Sequence, residues 1–294
     1  MSDSNNFFKE GPQYNGPSVQ GSVNRNLSQH PKQGRIMDLV SSHGYMSIEA
    51  LADHFSVTSQ TVRRWVNELC NQDILRRYHG GVGLPSSVEN VAYATRQVMC
   101  LEEKRRIARL VAQHIPEKAS IILNIGTTTE EVARGLCGHV GLKVITNNLN
   151  VAQILSQKDG LEVNVAGGMV RARDGGIIGP AAMAFIQQFK VDFGIIGISS
   201  IDTDGDLLDY DYNEVNISRT IIKNSRQVFL VADHTKFVRK SIVRMAHISE
   251  VDALFTDRLP SDAMQAVLKE SGVEVYVAEE QADGHSTPST AGDG

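Results

Sequence analysis

The sequence predicts an α/β protein in two folded parts: a small helical unit that ends in a hairpin, then a larger, mainly parallel α/β domain. Between Gln33 and Pro85, apolar residues recur at helical spacing in three short blocks, and an arginine-rich stretch around Gly80-Gly81 follows. From Ser120 onward, runs rich in Val, Ile and Leu alternate with helical segments, the pattern of strands buried on both faces of a parallel sheet. The two ends are rich in Asn, Ser, Gln, Gly and Pro and have no apolar period. Such segments bury too little to offset the entropy of ordering. The expected boundaries are therefore disordered tails at 1–32 and 279–294, a small unit at 33–85, a linker at 86–100 and the α/β domain at 101–278.

In the small unit, Ile36, Leu39 and Val40 form the apolar stripe of a first helix that Gly44 ends. Ser47 is the expected N-cap of a second helix, whose Ile48, Leu51, Ala52 and Phe55 share one face. Thr58 is placed to cap the third, in TSQTVRRWVNEL. Two short strands flank Gly80-Gly81, where glycine supplies the positive φ that a tight hairpin needs. Three helices and a hairpin make a winged helix-turn-helix.

Counting 100° per residue from Val62, the residues Val62, Val66 and Leu69 cluster on one face of the third helix and are expected to be buried. Gln60, Arg63, Arg64 and Asn67 fall opposite, with Thr58, Ser59 and Thr61 at the helix start. Arg pairs bidentately with guanine, and Asn or Gln with adenine. In this motif the second helix of the turn enters the major groove of duplex DNA with its N-terminal residues on the bases. Arg76, Arg77 and His79 on the wing would meet backbone or minor groove. Paired arginines on a helix are by themselves more often a solvated face; the two preceding helices and the basic hairpin favour the DNA reading here. Trp65, the only tryptophan in the chain, lies on the flank of the buried arc. Packing at the core edge is the favoured role, with a sugar or phosphate contact through the indole N–H as the alternative.

Composition bounds the rest. The net charge of -5 over 294 residues does not advertise nucleic-acid binding, but a small basic surface can be outvoted by a larger acidic domain. Cys70, Cys100 and Cys137 are odd in number and widely spaced, which suggests neither a disulfide framework nor a zinc site. No run is long and apolar enough for a membrane span, and a cytoplasmic protein without metal or cofactor is expected.

The block RIMDLVSSHGYMSIEALADHFSVTSQTVRR with ILRRYHGG resembles the DNA-binding domain of the DeoR family of bacterial repressors. The match extends through EEKRRIARLVAQHIP, NIGTTTEEVA, VITNNLNVA, AGGMVRARDGGIIG, DFGIIGISSIDTDGDLLDYDYNEV and VADHTKF, and covers about residues 33 to 277. One departure is Trp65, where the family usually carries aspartate after the paired arginines; an acid there could orient an arginine. The resemblance implies a repressor of double-stranded operator DNA, acting as a dimer or tetramer, and a sensor domain with the fold of sugar-phosphate isomerases and CoA transferases. It also implies a phosphorylated metabolite as inducer, glycerol-3-phosphate foremost and other sugar phosphates as alternatives.

The residues support a phosphate site independently. In NIGTTTEEVA, a strand runs into Gly126 and then a helix begins at Thr127, Thr128 and Thr129. Amides and hydroxyls at such a helix start suit an anion, although a plain capped turn is an equal reading. Asn147-Asn148 and Gly167-Gly168 end two further strands, and ligands gather beyond the carboxyl ends of parallel strands. Acids crowd 204–214, where charge runs are usually solvated. The resemblance selects Asp211, Glu214 and Lys236 for the effector site, acids for hydroxyls and the lysine for phosphate. A sugar-phosphate isomerase with an accessory domain is the alternative from another class. The charged segment Glu102 to His114 is expected either to join protomers and relay a signal or to pack on its own domain.

Overall fold

The computed structural model describes residues 31–43, 45–71, 74–78, 80–83 and 93–278. Both expected tails lie outside these, except that the first helix, α1 (Pro31–His43), starts inside the N-terminal one. Proline suits a helix start, where its missing N–H costs nothing. After β1 (Tyr45–Ser47) come α2 (Ile48–Phe55) and α3 (Ser59–Asn71). The Ser47 hydroxyl accepts from the Ala50 amide at 3.0 Å, which caps α2, and Ser56 ends that helix in the left-handed region. Thr58 caps α3 through the Thr61 amide at 3.3 Å. The expected apolar faces are the buried ones: Ile36, Val40, Leu51, Val62, Val66 and Leu69 are all almost fully covered.

The wing differs in two details. Strands β2 (Arg76–Tyr78) and β3 (Gly81–Gly83) pair with Tyr78 opposite Gly81, so Gly81 belongs to the second strand and not to the turn. Gly80 alone takes the positive φ, 75°. A third strand, β1, completes the sheet by pairing Met46 with Val82. Three residues are too few to show an alternating pattern, so β1 left no sequence signal.

Part of the expected linker is helical: α4 (Tyr93–Val98) precedes α5 (Leu101–His114), and linker residues 86–92 lie outside the described residues. Helix α5 packs on its own domain through Ile107, Ala108 and Val111.

The Val-, Ile- and Leu-rich runs of the α/β domain form one parallel sheet of seven strands. Its strands are β4 (Ser120–Leu123), β5 (Lys143–Thr146), β6 (Glu162–Val165), β9 (Val191–Gly197), β12 (Ser225–Val231), β14 (Ala253–Thr256) and β15 (Glu274–Val277), in the order β15-β14-β12-β9-β4-β5-β6. Both faces are covered. Ile121 and Leu123 face α5 and α6 (Thr127–Gly135), while Ile122 between them faces α8 (Pro180–Ile186) and α9 (Tyr212–Lys223). That is why the runs are apolar throughout instead of alternating. The order reverses between β4 and β9, which opens a crevice at their carboxyl ends.

Short antiparallel pieces line that edge: the hairpin β7 (Met169–Arg171) with β8 (Gly176–Ile178), and a sheet of β10 (Ser200–Ile201), β11 (Asp206–Asp209) and β13 (Val243–His247). No described helix is long and apolar enough to cross a membrane.

Candidate DNA interface and effector site

On the small domain, Thr58, Gln60, Arg63, Arg64, Arg76 and Arg77 are exposed, and Ser59 and Thr61 half-buried. His79 lies outside the described residues. Asn67 departs from the expected outer face. It is half-buried in a cleft of about 240 Å3 between α3 and the wing, beside Arg63 and Arg77, and its Oδ1 has no hydrogen-bond partner among the described residues. Trp65 meets Phe55 edge-on at 6.0 Å, and the Lys32 ammonium sits 5.0 Å from its ring centre. Half-buried against the core, it braces α3 against α2.

In the crevice of the α/β domain, Gly126 precedes α6 with φ 152°, and Thr127, Thr128 and Thr129 are buried in its first turn. The Thr129 hydroxyl is already committed, donating to the carbonyls of Asn124 and Gly126 at 2.8 Å. Asn148 caps α7 (Leu149–Leu155) by accepting from the Asn150 amide at 2.9 Å, and its Nδ2 donates to Glu130. Asn147 is fully buried, with Nδ2 donating to the Ile177 carbonyl and Oδ1 unpartnered. Gly167 has open space where a side chain would sit; at Gly168 a Cβ would come within 3.1 Å of the Ile178 carbonyl. The sequence reading takes these residues together as ligand groups, but Thr129 and Asn148 are largely spent on the scaffold.

Two acids expected to meet ligand hydroxyls are also committed. Asp211 caps α9 and pairs with Arg171 at 2.7 Å; Glu214 pairs with the same guanidinium at 2.7 Å. Arg171 also grips Asp174 at 2.7 Å. Burial and the nearby Asp209 push the Glu214 carboxyl up to about 7. Arg171 carried no sequence signal because two of its three acid partners, Asp211 and Glu214, come from a stretch some forty residues later.

Lys236 lies on the 3-10 turn His234–Phe237 after β12, almost fully buried. Its ammonium makes no hydrogen bond or ion pair with any described residue. Burial first, then the Arg239 cation, depress it to about 7. Lys104, Arg96 and Arg239 stand close enough to act on it electrostatically, and Asp233 is the acid among them. Burial opposes the Asp233 charge, but Lys236 and Lys104 outweigh it and hold that carboxyl well below its usual range. The Asp233 Oδ2 has no hydrogen-bond partner among the described residues. Burial lowers both Lys104 and Arg96. Four cations thus gather where the sequence suggested one. Arg96 and Lys104 were hidden in the expected linker and in a charged helix, because only the fold turns them inward.

Cys100, Asp233 and His234 bring potential metal-ligand atoms within 4.8 Å of one another. This is no fit for a cation, since both His234 ring nitrogens already face carboxylates and Lys104 and Lys236 surround Asp233. The cluster suits an anion.

A DeoR-like helix-turn-helix domain matches residues 32–88, and a DeoR C terminal sensor domain matches residues 99–258. The chain is 48% identical over 249 residues to the glycerol-3-phosphate regulon repressor of Escherichia coli (strain K12), covering 85% of this chain and 99% of that protein. It is 41% identical over 256 residues to the HTH-type transcriptional repressor CsqR of the same organism, covering 87% and 98%. Among solved structures, ribose 5 phosphate isomerase A from Neisseria gonorrhoeae aligns at 15% identity and a TM-score of 0.34, over 46% of this chain and 53% of that one. With both domains matched in order and relatives aligned along almost their whole length, the chain belongs to the DeoR family of transcriptional regulators.

Proposed function

We propose that the protein is a cytoplasmic repressor that holds operator DNA through α3 and the wing and is released when glycerol-3-phosphate enters the sheet-edge crevice. The observation that carries the effector half is the group of four cations, Lys104, Lys236 and Arg239 buried and Arg96 half-buried, with the Lys236 ammonium making no hydrogen bond or ion pair with any described residue. A dianionic phosphate would satisfy it and restore its charge, which burial now disfavours. Thr127 and Thr128, in the first turn of α6, are candidates for further donors. The full-length relative named for the glycerol-3-phosphate regulon supports the choice of metabolite.

For the DNA half, Gln60, Arg63 and Arg64 are the candidates for base and phosphate contacts, with Arg76 and Arg77 on the wing. One such domain makes few base contacts, so a homo-oligomer on a two-fold operator follows. The protein acts as a regulator, not a catalyst. The test is titration of purified protein on a candidate operator with a panel of phosphorylated metabolites. Glycerol-3-phosphate should weaken binding at lower concentration than the others; release by a different sugar phosphate alone would reassign the effector.

A further inference from the structure

The small domain and the α/β domain do not share one continuous core. A cavity of about 480 Å3 lies between them, walled by Met37, Leu69 and Met99 on one side and by His234, Thr235 and Arg258 on the other. An interface with such a gap is held at its edges.

At one edge stands His234. Its main-chain N–H donates to Asp257 Oδ1 at 2.7 Å, its Nδ1 faces Asp257 Oδ2 at 2.7 Å, and its Nε2 faces Asp38 Oδ1 on α1 at 3.1 Å. Arg258 adds a weaker arm, 3.8 Å from the second oxygen of Asp38. An imidazole with a carboxylate at each nitrogen donates from both, as the imidazolium. Burial opposes that charge, but the hydrogen bonds to Asp257 and Asp38 outweigh it and raise the group to about 9.

The other fact is where this clamp is built. His234 shares a four-residue 3-10 turn with Lys236 and directly follows Asp233, so it hangs on the same backbone as one of the four cations and the acid among them. A ligand drawing on Lys236 draws on this turn. The ring that reaches Asp38 would shift with it.

We propose that His234 is the positioning residue through which the anion site holds the DNA-binding domain, its clamp on Asp38 being made or broken as the turn carrying Lys236 responds to a bound phosphate. This rests on the reading that a phosphorylated effector binds at Lys236. Allosteric coupling requires an element that both sites bias, and the clamp is such an element by construction.

The test uses full-length protein with Asp38→Ala and Asp38→Glu. Asp38 is half-exposed on α1, and alanine keeps the helix. The readout is the factor by which glycerol-3-phosphate weakens operator binding, with the effector affinity of DNA-free protein measured alongside by calorimetry. Asp38→Ala should lower that factor about fivefold or more toward one while the DNA-free protein still binds the effector, and be rescued by Asp38→Glu. A wild-type factor in Asp38→Ala would overturn the clamp and leave the effector site standing. If the wild-type protein itself shows a factor of one, the reading of the site falls and the clamp with it.

Discussion

Replacing Lys236 with methionine should make the protein more stable and less able to sense its effector. In the folded chain burial depresses the lysine to about 7 from an ordinary 10.5. At pH 7 a shift of that size opposes folding by at most about 4 kcal/mol. The sign follows from the depression. Below the folded value the charged ammonium is buried at full cost; as pH rises toward the unfolded value, the folded chain sheds the proton and the cost fades. Methionine fills similar volume without the charge. Asp233 then loses one cation but keeps Lys104 and Arg239 nearby, which takes back part of the gain. A net stabilisation of about 1–3 kcal/mol remains, seen as a rise of several degrees in thermal midpoint at roughly 2–4 °C per kcal/mol. Differential scanning calorimetry at pH 6 and pH 9, with glycerol-3-phosphate titration at pH 7, reads all of it. The advantage of Lys236→Met over wild type should shrink at the higher pH, and effector binding should be lost. A variant that melts lower at both pH values and binds the effector normally would refute the argument, because the lysine would then be a satisfied structural cation.

Three further outcomes are expected. Arg63→Ala or Arg64→Ala, measured by operator binding across a salt series, should relax preference at one base pair at a cost of about 1–3 kcal/mol if the lost contact is to guanine, or weaken all sequences alike with a shallower salt slope if it is to phosphate; unchanged binding by the double variant would remove α3 from the interface. Trp65→Asp removes the edge-on contact with Phe55, so a stability loss of about 0.5–1.5 kcal/mol is expected, with the preferred operator sequence unchanged in a selection experiment; a new selected sequence would show that Trp65 reads bases. Changing Thr127 and Thr128 together to valine keeps β-branched bulk at the buried start of α6, so the variant should stay folded, bind operator and respond to glycerol-3-phosphate only at higher concentration; an unshifted induction curve would take both hydroxyls out of the site.

Patterning along the chain was enough for everything that repeats over several residues. All seven strands of the parallel sheet, the span of α5, and the buried faces of α2 and α3 follow from apolar spacing, because a period shows itself within one element. The caps at Ser47 and Thr58 follow too, being local chemistry between near neighbours. Tertiary structure decided what depends on meeting at a distance. It set which acids were free: Asp211 and Glu214 look available in sequence, yet both are held by Arg171 from a hairpin some forty residues earlier. It also brought Arg96 and Lys104 beside Lys236, and His234 against Asp38 across 196 residues. A charged side chain on a short helix looks solvated until the fold supplies the wall that buries it. Its partner is then chosen by the crossing of the sheet order between β4 and β9 and by how the small domain docks, and neither leaves a periodic mark on the sequence.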